Sequence, residues 1–163
     1  MYEIAVRDIP ARSLLSLVRR VHQDELLQMG RELFIHRLAR GGVPRIEGIA
    51  GAPFTIYYGE VSGDSDGPVE WCWPVPDDQA AEIAATFPDL TLRTEPAHQE
   101  AFVRQQAPGA SGGGTQAEVA VESLVAWTSE HQRQPSWGVR ALLIFNPANA
   151  DAGPDTEFAI ALR

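Results

Sequence analysis

Bulky and short side chains alternate most regularly in two stretches of the chain. In Val69-Glu70-Trp71-Cys72-Trp73-Pro74-Val75 a period of two puts Trp71 and Trp73 on one face and Glu70 with Cys72 on the other. In Thr156-Glu157-Phe158-Ala159-Ile160-Ala161-Leu162 it sets Thr156, Phe158, Ile160 and Leu162 against Glu157, Ala159 and Ala161. A turn precedes each stretch, Asp66-Gly67-Pro68 in one case and Gly153-Pro154-Asp155 in the other. The bulky face reads as core. Each glutamate therefore shares a face with small residues, and small residues on a half-buried surface leave room for a ligand.

Around these strands the pattern predicts further elements. Residues 2–21 read as one long strand interrupted at Ile9-Pro10-Ala11, where proline favours a bulge or an edge. Asp24 is expected to cap a helix running to about Arg40, with Leu26, Leu27, Gly30, Leu33, Phe34 and Leu38 as its inward stripe and Gly41-Gly42 ending it. Residues 53–58 form a strand. Residues 77–87 are read as a connector, although Ala80, Ile83, Ala84 and Phe87 fit one helical face. Thr115-Gln116-Ala117-Glu118 has the form of a capping box and starts a second helix, with Ala117, Val121, Leu124, Val125 and Thr128 on one face. Strands over 140–145 and 156–162 complete the chain.

The pattern occurs twice. Pro10-Ala11 and Pro96-Ala97 lie 86 positions apart, and Glu70 and Glu157 lie 87 apart. The same alignment matches Val6-Arg7 with Leu92-Arg93 and, without gaps, Tyr58 with Phe145. The expected architecture is α+β: a tandem duplication of a strand-helix-strand-strand unit (SHS2-like) about a pseudo-twofold axis. Repeat 1 covers about 1–76, a connector 77–89, and repeat 2 about 90–163, all within a single domain. A ligand cleft is expected between the repeats.

Composition narrows the chemistry. The 163 residues carry a net charge of −9, and all 13 basic residues are arginine. An acidic chain is a poor partner for a nucleic-acid backbone and a better one for cations. The absence of lysine excludes Schiff-base chemistry and a phosphate-loop lysine. Cys72 is the sole cysteine, so an internal disulfide and a thiolate metal cluster are both excluded. His22, His36, His98 and His131 show no metal-ligand spacing, and no cofactor is expected. No apolar run reaches the roughly 18 residues of a membrane span, and the N-terminus lacks the pattern of a signal peptide. The expectation is a soluble, unprocessed, cytoplasmic protein with no membrane partner.

The repeat, with Ile9-Pro10-Ala11, Ile56-Tyr57-Tyr58, Val69 to Val75, Glu95-Pro96-Ala97, Leu124-Val125-Ala126-Trp127 and Thr156 to Ile160, resembles the GyrI-like, or AraC/BmrR-type, effector-binding domains across the whole chain. That resemblance implies a curved antiparallel sheet with two main helices on one face and a ligand cleft on the other. It also implies small-molecule organic cations as ligands, in the manner of a multidrug sensor, with a buried glutamate as countercharge. Carried over by position, Glu157 matches the family's last-strand glutamate and Glu70 is its first-repeat counterpart. The first strand begins at Tyr2 with no helix-turn-helix ahead of it, so no direct contact with DNA is expected, and any regulator would be a separate chain. The loop at 107–114 lacks the histidine or tyrosine found in relatives, which counts against the hydrolytic activity known for some of them.

A carboxylate enclosed by apolar walls is costly to bury alone, and an organic cation relieves that cost. Aromatic faces add ~0.5–2 kcal/mol each for a well-placed cation. The candidate ligand-binding residues are Glu157, Glu70, Tyr57, Tyr58, Trp137, Phe145 and Cys72. Tyr57 and Tyr58 point to opposite faces, and the pattern does not choose between them. The alternative is a hydrolase with a glutamate as general base or acid and a tyrosine as hydrogen-bond donor, Glu157 with Tyr58.

Overall fold

The computed structural model describes residues 3–59, 61, 66–105, 113–136, 138–144 and 155–163. The fold is α+β, with antiparallel strand pairings throughout the described ladders. The strands are β1 (Ala5–Ile9), β2 (Arg12–Val21), β3 (Phe54–Tyr57), β4 (Gly67–Val75), β5 (Thr91–Glu95), β6 (His98–Gln105), β7 (Val139–Ile144) and β8 (Asp155–Leu162). The helices are α1 (Gln23–Arg31), α2 (Ala80–Thr86) and α3 (Gly113–Glu130), and α1 runs directly into a π-helical segment, Glu32–Ala39.

Packing divides the chain into two units, Pro10–Ala97, and Met1–Ile9 together with His98–Arg163. The expected single broken strand over 2–21 is two strands in different units. Both passages between units fall at a Pro-Ala pair, Pro10-Ala11 and Pro96-Ala97. Proline has no N–H for a ladder, so a strand ends there and the chain is free to leave.

In unit Pro10–Ala97 the strand order is β3-β4-β2-β5. One face of this sheet carries Leu15, Val69, Trp71, Trp73 and Val75, buried against Leu33, Phe34 and Leu38 of the π-helical segment. The Phe34 and Trp73 ring centroids are 5.9 Å apart. Helix α1 is capped two residues earlier than expected, at His22: the Glu25 carboxylate accepts the His22 N–H at 3.2 Å, and Asp24 lies inside the first turn. Past Arg31 the winding loosens, and the Arg40 N–H donates to Ile35 O, five residues back, at 3.0 Å. Leu27 is 80% exposed and does not belong to the inward stripe. Gly30 does, because a Cβ there would lie 3.1 Å from Trp71 Nε1. The expected connector contains α2, which lays Ala80, Ile83, Ala84 and Phe87 on the same core.

In the other unit the order is β1-β6-β8-β7. Helix α3 buries Ala120 and Leu124 against Ala101, Val103, Ile160 and Leu162, with Trp127 and Phe158 at the margin. Val125, expected on this face, is 51% exposed. The side chains of the expected capping box at 115–117 lie outside the described residues. No described helix is long and apolar enough to cross a membrane.

In both units the helices cover the bulky face of the strands. Glu70 and Glu157 are therefore each on the opposite face of their own sheet.

Candidate functional site

Glu70 sits on β4 opposite Ile56 of β3 and Val18 of β2. Its side chain is 4% exposed, yet it is not alone. Arg93, two strands away on β5, reaches across β2 and grips it with two bonds, Nε to Oε2 at 2.7 Å and Nη2 to Oε1 at 3.0 Å. Between them on that face of β2 stands Ser16, small enough for the long side chain to cross. The Tyr58 hydroxyl donates to Glu70 Oε1 at 2.6 Å. Burial pushes the Glu70 carboxyl up, but the bonds from Arg93, Tyr58 and Ser16 together with the Arg93 charge outweigh it, and the carboxyl is held below its usual range. Burial and the adjacent carboxylate push the Tyr58 phenol up. Cys72, fully buried on the same face, has its Sγ 3.9 Å from Arg93 Nη2.

Glu157 on β8 is completely buried and bonded by two arginines. Arg7 Nη1 donates to its Oε1 at 2.6 Å and Arg104 Nε to its Oε2 at 2.8 Å. The Arg7 guanidinium lies 3.8 Å over the Phe102 ring, and its Nε also donates to Glu100 at 2.8 Å. Arg140, directly across from Ala159, brings a further guanidinium to this face. Burial raises the Glu100 carboxyl, but His98, Arg7 and the charge of Arg140 together hold it below the usual range. This face is ionic, with Arg7, Arg104 and Arg140 around Glu100 and Glu157, where the pattern of small residues in β8 predicts open space.

The two arrangements correspond. Arg7 and Arg93 are 86 positions apart, Glu157 and Glu70 are 87 apart, and in each unit the corresponding arginine bonds the corresponding glutamate. These arginines are the functional side chains that the alternation does not reveal. The signal for them is the repeat, because an arginine and a glutamate that recur at nearly the same offset, 86 and 87, fit a duplicated ion pair.

Of the predicted residues, the structure brings together Glu70, Tyr58 and Cys72. Tyr57 faces the helix side and packs on the tryptophan core, so it does not stand beside Glu70. Glu157 lies in the other unit from Tyr58. Trp137 and Phe145 lie outside the described residues. A depression of about 230 Å³ beside α2, lined by Val43, Pro44, Ile83 and Phe87 among others, contains none of the predicted residues. Among the described residues no group of three or more histidine, cysteine or acidic side chains is placed to hold a metal ion.

No known family's sequence pattern matches the chain, and no curated protein matches it. Solved structures do. The EcmrR C-terminal domain matches with a TM-score of 0.71 at 17% identity, over 100% of this chain and 98% of that one. SAV2435 bound to tetraphenylphosphonium matches at 0.64 and 14%, over 99% and 94%. A hydrolase from Listeria innocua matches at 0.59 and 11%, over 99% and 92%. The likeness is one of fold, and the fold is that of the GyrI-like effector-binding domains.

Proposed function

We propose that this chain is a small-molecule receptor for bulky aromatic or lipophilic cations, with Glu70 as the countercharge. The carrying observation is the setting of Glu70. A buried, ionised carboxylate is covered by a half-buried tyrosine and a partly exposed arginine, beside Val18, which is 53% exposed on the same face. Such a carboxylate supplies charge, and Tyr58 and Val18 supply ring and aliphatic surface for a weakly hydrated organic cation. The tetraphenylphosphonium bound to SAV2435, on the same fold, supports the choice of ligand class. Glu157 is held by two arginines, Arg7 and the more exposed Arg104, and has no tyrosine among its described partners.

The hydrolase alternative, Glu157 with Tyr58, has less support, because the described bond of the Tyr58 hydroxyl is to Glu70. At Glu70 itself a carboxyl held below its usual range is a weak base near neutral pH, and a phenol pushed up is a weak acid. Isothermal titration with tetraphenylphosphonium tests the proposal. Saturable binding is expected, weakened at least about tenfold, or ~1.4 kcal/mol, by Glu70→Gln. Equal affinity in that variant, or substrate turnover abolished by it, would overturn this reading.

A further inference from the structure

We infer that Arg93 is a built-in competitor for the ligand: an organic cation enters by displacing the Arg93 guanidinium from Glu70, and the site exchanges one cation for another. This inference rests on the proposed receptor function and goes beyond it by naming the residue that regulates entry and sets the sign of the ligand.

An empty site with a bare buried carboxylate is costly, and the arginine removes that cost before any ligand arrives. The two partners differ in freedom. The Glu70 side chain is 4% exposed and that of Arg93 is 32% exposed, so water reaches a third of the arginine side chain and almost none of the glutamate's. Among the described residues, Arg93 beyond Glu70 makes a long contact of 3.9 Å to Cys72 Sγ and is attracted by the charge of Glu95. The same unit holds a contrasting pair. Arg12 and Glu95 are each 5% exposed, and Arg12 also donates to Ala50 O at 2.8 Å and stacks 4.6 Å over Phe54. That arginine is fixed on every side and Arg93 is not.

When Arg93 swings out, the Tyr58 hydroxyl remains bonded to Glu70 and keeps the carboxylate aimed. Exchange of cation for cation leaves the charge of the site unchanged. A neutral or anionic molecule of the same shape would strand either Glu70 or both members of the pair, and is excluded on that ground. Affinity for a cation is therefore reduced by the competition, and removing the competitor raises it.

The test uses tetraphenylphosphonium and the variant Arg93→Met, which keeps length and apolar bulk but not charge. Calorimetry is expected to show at least tenfold tighter binding by Arg93→Met than by the wild type. In wild-type ¹⁵N spectra the Arg93 Nε–H resonance, assigned by its absence in the variant or by triple-resonance experiments, is expected to lose its hydrogen-bonded shift at saturation while that of Arg12 stays in place. Equal or weaker binding by a folded Arg93→Met, or an Arg93 resonance unmoved at saturation, overturns the inference. If Arg93→Met does not fold, the wild-type spectra decide. Binding by the variant alone supports the inference. Wild-type binding that Glu70→Gln weakens, with Arg93 unmoved, overturns the competitor and leaves the receptor standing. Absence of binding by wild type and variant overturns both.

Discussion

Each buried carboxylate that the alternation singles out is held by a guanidinium, and the exclusive use of arginine makes chemical sense at such positions. A guanidinium offers two parallel N–H donors to one carboxylate, as Arg93 does to Glu70, and is less strongly hydrated than an ammonium. The pair carries a pH signature. Because the folded Glu70 carboxyl lies below its ordinary value of 4.5, its contribution to stability is complete above that value and is lost as the pH falls through the folded one. Thermal melts of wild type and Glu70→Gln are therefore expected to differ by a constant margin near about pH 7 and to converge as the pH falls below 4.5 and through the folded value. A margin that grows in acid would mean that the carboxyl is raised rather than lowered, and would contradict the bonding of Glu70 to Arg93 and Tyr58.

At the scale of elements, the strands were legible and the helix faces less so. Strand alternation survives because one face of each sheet is covered by helix and a side chain has only two directions to choose from; Trp71 and Trp73 lie where the period puts them. A helix offers a continuous range of directions. Its stripe depends on local winding, and the loosening over Glu32–Ala39 leaves no mark in composition. Leu27 and Val125 lie at the edge of their predicted stripes and are 80% and 51% exposed, while Leu38, on the same predicted stripe as Leu27, is fully buried. The arginine partners were hidden for a different reason. Arg93 reaches Glu70 across an intervening strand, a contact set by tertiary register that period-two reading does not contain. The corrected stripe has a direct consequence for stability. Leu38→Ala is expected to cost about 2–5 kcal/mol, as for other buried leucines, and Leu27→Gln to stay within about 0.5 kcal/mol. Urea denaturation of the two variants checks this, and comparable losses would restore Leu27 to the core.

For the whole molecule, sequence repetition and packing cut the chain in different places. The repeat begins at the first strand of each half, whereas the packing units begin at Pro10 and again at His98, so that β5 completes the sheet of β2, β3 and β4. Fragments distinguish the two divisions. Residues 10–97 contain Arg93 for Glu70, Glu95 for Arg12 and the full tryptophan core. Residues 1–89 contain the first repeat but lack β5, which strands Glu70 and Arg12 without their ionic partners. Removing one partner from a buried pair costs about 3–5 kcal/mol, and two such losses consume most of the ~5–15 kcal/mol that stabilises an ordinary domain. Residues 10–97 expressed alone are therefore expected to give a cooperative thermal transition by circular dichroism, and residues 1–89 to give none. Cooperative unfolding by 1–89 would show that β5 and its arginine are dispensable to the sheet that carries Glu70. The ion pair would then be an accessory of the fold and no longer one of its conditions.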